Sequence, residues 1–159
     1  MVAHAVISRT IRATPDDLFD VVHDYHRRLE WDTLLRAART VDDAEPAVGV
    51  EAVCTARRAL GGFSFTTTYV TFRRPDLAAV RLTRPVAVFE SWSASIRHKP
   101  TAAGTNVVYT MTFRCRPSWL AWLLEPAARA AFRLETSRRL AALDSYVTRR
   151  AGTPTKESA

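Results

Sequence analysis

One long helical segment, placed near the end of a chain that otherwise reads almost entirely as strands, limits the fold more than any other feature. That segment runs over residues 117–150. At about 100° per residue from Ala127, Ala131, Leu134, Ala142, Leu143, Tyr146 and Val147 join Ala127 on one broad stripe. Arg129, Arg133, Arg138 and Asp144 fall opposite. The pattern predicts an amphipathic helix with one face to bury. Glu135 and Arg139 interrupt the apolar stripe at i, i+4 spacing, which allows them to pair along the helix. Either the stripe meets a wet rim where both charges reach water, or the helix covers a cavity and not a solid core.

The preceding chain reads in order. Residues 3–12 alternate and are β-branched, which predicts a strand. Thr14-Pro15-Asp16-Asp17 then opens a helix: Thr14 suits the cap, Pro15 the first helical position, and the carboxylates the positive end of the dipole. Leu18, Val21, Val22 and Tyr25 share its buried face, and His26-Arg27-Arg28 suits its end. Residues 29–35 predict a second short helical turn carrying Trp31. Six strand-like runs follow at 36–41, 50–58, 63–73, 78–83, 88–98 and 106–115, separated by turns rich in Asp, Pro and Gly. Connections this short imply antiparallel neighbours.

One strand, two short helices, six strands and one long helix predict an α+β domain over residues 1–150 with a single seven-stranded antiparallel sheet. Only the long helix is large enough to cover a face of it. A sheet this long curls because strands twist. A curled sheet wrapped around one helix leaves a hollow suited to an apolar ligand. Residues 151–159, small and polar, are expected to form a flexible tail.

Composition excludes several classes. With 47% hydrophobic and 25% charged residues the chain is globular. The net charge of +7 invites a nucleic-acid reading, but its arginines are spread over the whole chain and not gathered in a block. Only Lys99 and Lys156 are lysines, so the arginine excess reflects the codon usage of a GC-rich, bacterial genome. No nucleic-acid partner is expected. No apolar run is long enough to span a membrane, and the first residues lack a basic and then apolar leader, so a cytoplasmic location is expected. Cys54 and Cys115 sit in strand-like runs and read as buried thiols. His23 and His26 have a spacing that lets them share a metal, but no third ligand stands nearby, and His4 and His98 are isolated; no metal is expected. Nucleophile elbows and phosphate loops are absent, and no cofactor is expected.

Several local motifs carry a resemblance. Ala13-Thr14-Pro15 with Leu18-Phe19-Asp20-Val21-Val22, then Trp31, then Trp92, Gly104-Thr105-Asn106-Val107, Trp122-Leu123-Leu124-Glu125-Pro126 and Leu140-Ala141-Ala142-Leu143 follow one another in a familiar order. In this order the chain resembles the SRPBCC superfamily, the START-like or helix-grip proteins, and within it the polyketide cyclase/dehydrase and lipid-transport group. The resemblance implies a curved seven-stranded sheet around the long C-terminal helix. It implies fold strongly and function weakly, since members bind varied apolar ligands and only some are enzymes.

On that fold the cavity wall is expected from three strands: Val107, Tyr109, Met111 and Phe113; Trp92, Ala94 and Ile96; and Phe65 and Tyr69. The alternative for each is plain core packing. In the 63–73 strand the opposite face, with Ser64, Thr66, Thr68, Val70 and Phe72, competes for the inward side. The expected ligand-binding set is Trp31, Phe65, Tyr69, Trp92, Tyr109, Met111, Phe113, Glu135 and Arg139. Arg139 offers a fork of donors for an anionic group. Glu135 is the acid–base candidate if the protein is a polyketide cyclase or aromatase. No second acid–base group can be placed beside it, which favours binding of a lipid-like or polyketide-like molecule over catalysis. Trp119 and Trp122 form an apolar knob that reads as a gate or membrane-touching patch, or as a short helix packed on the sheet edge. Pro126 is expected to kink or split the segment there.

Overall fold

Thr14 shows how local chemistry starts the structure. In the computed structural model, which describes residues 2–153, its backbone is extended and its Oγ1 accepts the Asp17 N–H at 3.1 Å. Helix α1 (Pro15–His23) begins there, directly after strand β1 (Ala3–Ile11). The second predicted helix is a single 3-10 turn over Arg28–Glu30. Strands β2 (Leu35–Thr40), β3 (Glu51–Ala56), β4 (Ser64–Arg73), β5 (Leu77–Leu82), β6 (Phe89–Thr101) and β7 (Gly104–Cys115) follow. Helix α2 (Ala121–Ala151) closes the described chain. Most of the predicted tail, residues 154–159, lies outside the described residues.

All seven strands form one antiparallel sheet in the order β1-β7-β6-β5-β4-β3-β2. The first strand pairs with the last, from Ala3 opposite Phe113 to Ile11 opposite Thr105. Gly104 makes this crossing possible. Its φ is +132°, and a Cβ there would collide with the Ile11 carbonyl oxygen. Thr105 Oγ1 then donates to the Ala13 carbonyl at 2.7 Å, which fixes the turn out of β1.

A bulge in β4 settles which side of that strand faces inward. The register with β5 shifts between Tyr69 and Thr71, and Val70 points out to solvent. Phe65, Thr67 and Tyr69 face in before the bulge. Phe72 faces in after it, with its ring 5.4 Å from that of Tyr69. Strict alternation assigns Tyr69 and Phe72 to opposite faces; the extra residue puts both inside.

Helix α2 rests on β1 and β7 and not on the middle of the sheet. Ala3 and Ala5 of β1 are both 1% exposed, and such small side chains admit a close approach. The face that α2 buries differs from the predicted stripe in its first half. Leu140, Leu143, Tyr146 and Val147 are buried, but Leu134 is 52% exposed, Ala127 is exposed, and Ala131 is exposed where it borders a cavity. Ala128 and Phe132 are turned inward instead, with the Phe132 ring 5.1 Å from Phe113 and 5.4 Å from Phe89. Alanines carry too little apolar area to orient a helix; one phenylalanine docking on aromatic neighbours does. Pro126 does not split the segment: α2 is continuous through it. Trp119 and Trp122 are not packed on the sheet edge. They are 74% and 75% exposed.

Candidate functional site

Because α2 lies over one side of the sheet, the strands on the other side are left uncovered beneath it. A cavity of about 240 Å³, partly open to solvent, occupies that gap. Its floor comes from β3 to β6, with Cys54, Phe65, Thr67, Tyr69, Val80, Trp92, Ala94 and Ile96. Its roof is α2, through Ala128, Phe132, Glu135 and Arg139, and one end is closed by Val22, His23, Tyr25 and Arg28. Of the residues expected from sequence, Phe65, Tyr69, Trp92, Tyr109, Glu135 and Arg139 meet here. Trp31, Met111 and Phe113 do not line it. Met111 and Phe113, both 1% exposed, are packed on the side of the sheet that α2 covers. Trp31 is turned onto Arg28, whose guanidinium carbon lies 5.0 Å from its ring centre.

The predicted Glu135–Arg139 pair is not formed. Glu135, its side chain 14% exposed, is paired with Arg138 at 2.8 Å, a residue 59% exposed. Arg139 instead reaches across to Asp32, Nη2 to Oδ2 at 2.8 Å. Asp32 is wholly buried, and the same oxygen accepts the Arg28 Nε–H at 2.8 Å. Its other oxygen accepts the Leu34 N–H at 3.0 Å. Burial alone would raise the Asp32 pKa; Arg139 and Arg28 outweigh it and hold the carboxyl at about 2. Stacked rings hold both guanidiniums. Arg28 lies over Tyr25 and Trp31, and Arg139 over Tyr109 at 5.4 Å.

A second polar group sits at the same end. His23 Nδ1 and the Tyr69 hydroxyl are 2.9 Å apart, and the Tyr69 and Tyr25 hydroxyls 3.0 Å. His23 Nε2 is buried without a partner. Burial, then the nearby Arg28 and His98, holds the imidazole well below its ordinary range, so it is neutral. Burial pushes the Tyr69 phenol up. His26 is exposed near Asp43 whereas His23 is buried, and the described residues hold no group of three or more metal-ligating side chains. Sequence reasoning missed Tyr25, Arg28 and Asp32. The one signal for the last two was the i, i+4 spacing of Arg28 and Asp32 beside Trp31, which looks like any exposed pair until the turn is seen to be buried.

A curved antiparallel sheet closed over one long helix, with an apolar hollow between them, defines the helix-grip, START-like class of proteins. The chain belongs to the polyketide cyclase/dehydrase and lipid transport family, whose sequence profile matches residues 2–148. Solved structures share the fold. The Zhui aromatase/cyclase from Streptomyces is 18% identical with a TM-score of 0.78, over 97% of this chain and all of that one (100%). A START superfamily protein from Mycobacterium smegmatis is 14% identical with a TM-score of 0.71, over 92% and 98%. Norcoclaurine synthase from Thalictrum flavum is 11% identical with a TM-score of 0.71, over 93% and 87%. No curated protein matches the chain by sequence. No described helix is long and apolar enough to cross a membrane.

The buried charges make unequal demands on stability. Asp32→Asn leaves two guanidiniums buried without their counter-charge and is expected to cost about 3–5 kcal/mol. Arg139→Met leaves a neutral Arg28–Asp32 pair and is expected to cost distinctly less. Urea unfolding of the two variants checks this; equal losses would refute the charge assignment.

Proposed function

We propose that this protein binds a hydrophobic small molecule, lipid-like or polyketide-like, in the cavity between α2 and β3–β6. One observation carries the reading: the gap is lined by Phe65, Val80, Trp92, Ala94 and Ile96 and is not filled by the protein's own side chains. Apolar burial supplies the affinity, at roughly 25 cal/mol per Å² before ordering costs. At about 240 Å³ the cavity falls below the ~300–1,000 Å³ of drug-sized pockets, so the guest is small or extends out of the opening. Filling the hollow tests this. Ala94→Phe projects a ring into it and is expected to reduce Nile red binding at least about tenfold with the melting temperature kept, the ring occupying free space. Unchanged binding in a folded variant would remove the cavity from consideration.

A second reading, an acid–base enzyme of polyketide-cyclase type, is supported by the His23–Tyr69–Tyr25 chain. Its hydrogen-bonded imidazole and phenols can relay a proton between neutral groups, since burial disfavours a charge on either. Glu135, the carboxylate expected for this role, is engaged by Arg138. His23→Gln is expected to abolish conversion of a poly-β-keto chain with Nile red binding retained. Product formed equally by wild type and variant would exclude His23 from such a role.

Guest exchange at a membrane is supported by the exposed pair Trp119 and Trp122, together with Leu123 at 52% exposure. Exposed Arg129 and Arg133 follow Trp122 at spacings that share its helix face, and exposed Arg116 precedes the knob. Tryptophan flanked by arginine suits the surface of an anionic bilayer. Co-sedimentation with phosphatidylserine vesicles is expected for wild type and lost in a Trp119→Ala/Trp122→Ala variant. A variant that pellets as well as wild type would end this reading.

A further inference from the structure

The charges around the cavity do not cancel. Arg28 and Arg139 both line it, with side chains 10% and 8% exposed. Between them stands one carboxylate, Asp32, at 0%. Glu135 also borders the cavity, 14% exposed, but its charge is matched by Arg138 at 2.8 Å. Among the described residues that line the cavity, no other Asp or Glu is present. Burial pushes Tyr25, Tyr69 and Cys54 up, and His23 stays neutral. One positive charge is therefore left over in a desolvated place.

Donors are left over as well. Arg139 Nε is buried without a partner, and Arg139 Nη1 and Arg28 Nη2 make no hydrogen bond among the described residues. Asp32 cannot serve them: Oδ2 takes both arginines and Oδ1 takes the Leu34 N–H. A buried guanidinium is stable only when its charge and donors are matched. The described residues do not supply that match. The stacking on Tyr109, Tyr25 and Trp31 keeps the forks in place before anything binds, which lowers the ordering cost.

Resting on the cavity-binding reading above, we infer that the guest is an acid: a small apolar body bearing a single carboxylate, which Arg139 binds through its free guanidinium edge with Arg28 beside it. Planar carboxylate fits a guanidinium fork, and one negative charge closes the balance. The apolar body lies along Phe65, Trp92 and Ile96.

Two probes of equal shape isolate the charge: 2-naphthoate and 2-naphthamide, titrated calorimetrically into the full-length protein at pH 7. Wild type is expected to bind naphthoate at least about tenfold more tightly, the usual worth of a hydrogen bond to a charged group. In Arg139→Met the ratio of the two affinities is expected to fall to within about twofold, whatever the change in either affinity alone. Equal affinity of the two probes in wild type overturns the inference and leaves the cavity reading standing, and this comparison needs no variant to fold. A preference that survives in Arg139→Met also overturns it. Binding of neither probe removes both readings together.

Discussion

Asp32 ties the structure together. It lies in the turn that follows α1 and is wholly buried, and through a single oxygen it holds Arg28 of its own turn and Arg139 of α2. Tyr146, further along α2, donates to Glu30 of the same turn. The segment between β1 and β2 is thus moored to the C-terminal half of the long helix at two places. Opposed charges are worth far more in this dry setting than at a surface, and leaving any of them unmatched is correspondingly costly. The turn, α1 and the helix therefore hold their positions as one unit.

The cavity follows from where that unit sits. Moored at its C-terminal half and drawn onto the small side chains of β1, α2 lies off-centre on the sheet. Phe132 pins its other half to Phe113 and Phe89. Strands β3 to β6 curve up beside it with nothing of their own to fill the space. The fold does not make this hollow by lacking residues. It makes it by fixing the helix somewhere that leaves part of an apolar wall uncovered.

Chemistry at the closed end is divided between two neighbouring clusters. The arginine–aspartate group carries fixed charge, and the His23–Tyr69–Tyr25 group carries protons on neutral atoms. Arg28 links them: it belongs to the first and helps keep His23 of the second uncharged. The two clusters thus share one end of the same cavity.

Much of this was legible in the residues alone. Alternation, turn chemistry and capping marked seven strands, the entry to α1 at Thr14 and the long final helix, because each depends on neighbours within a few positions. The inward side chains of β6, and Tyr109 of β7, were also readable from period-two alternation. What could not be read depended on distant contacts. A bulge at Val70 decided that Tyr69 and Phe72 both face inward. The docking of Phe132 decided how the first half of α2 is turned. Arg139 chose Asp32, 107 positions away, over Glu135 one turn before it. A pair at helical spacing is worth only about 0.2–0.5 kcal/mol, so local pattern cannot compete once a buried carboxylate is brought within reach. The sequence by itself determined the elements and their order. Only the tertiary structure decided which charges meet and where the helix leaves its gap, because burial sets the strength of those interactions and burial belongs to the folded chain.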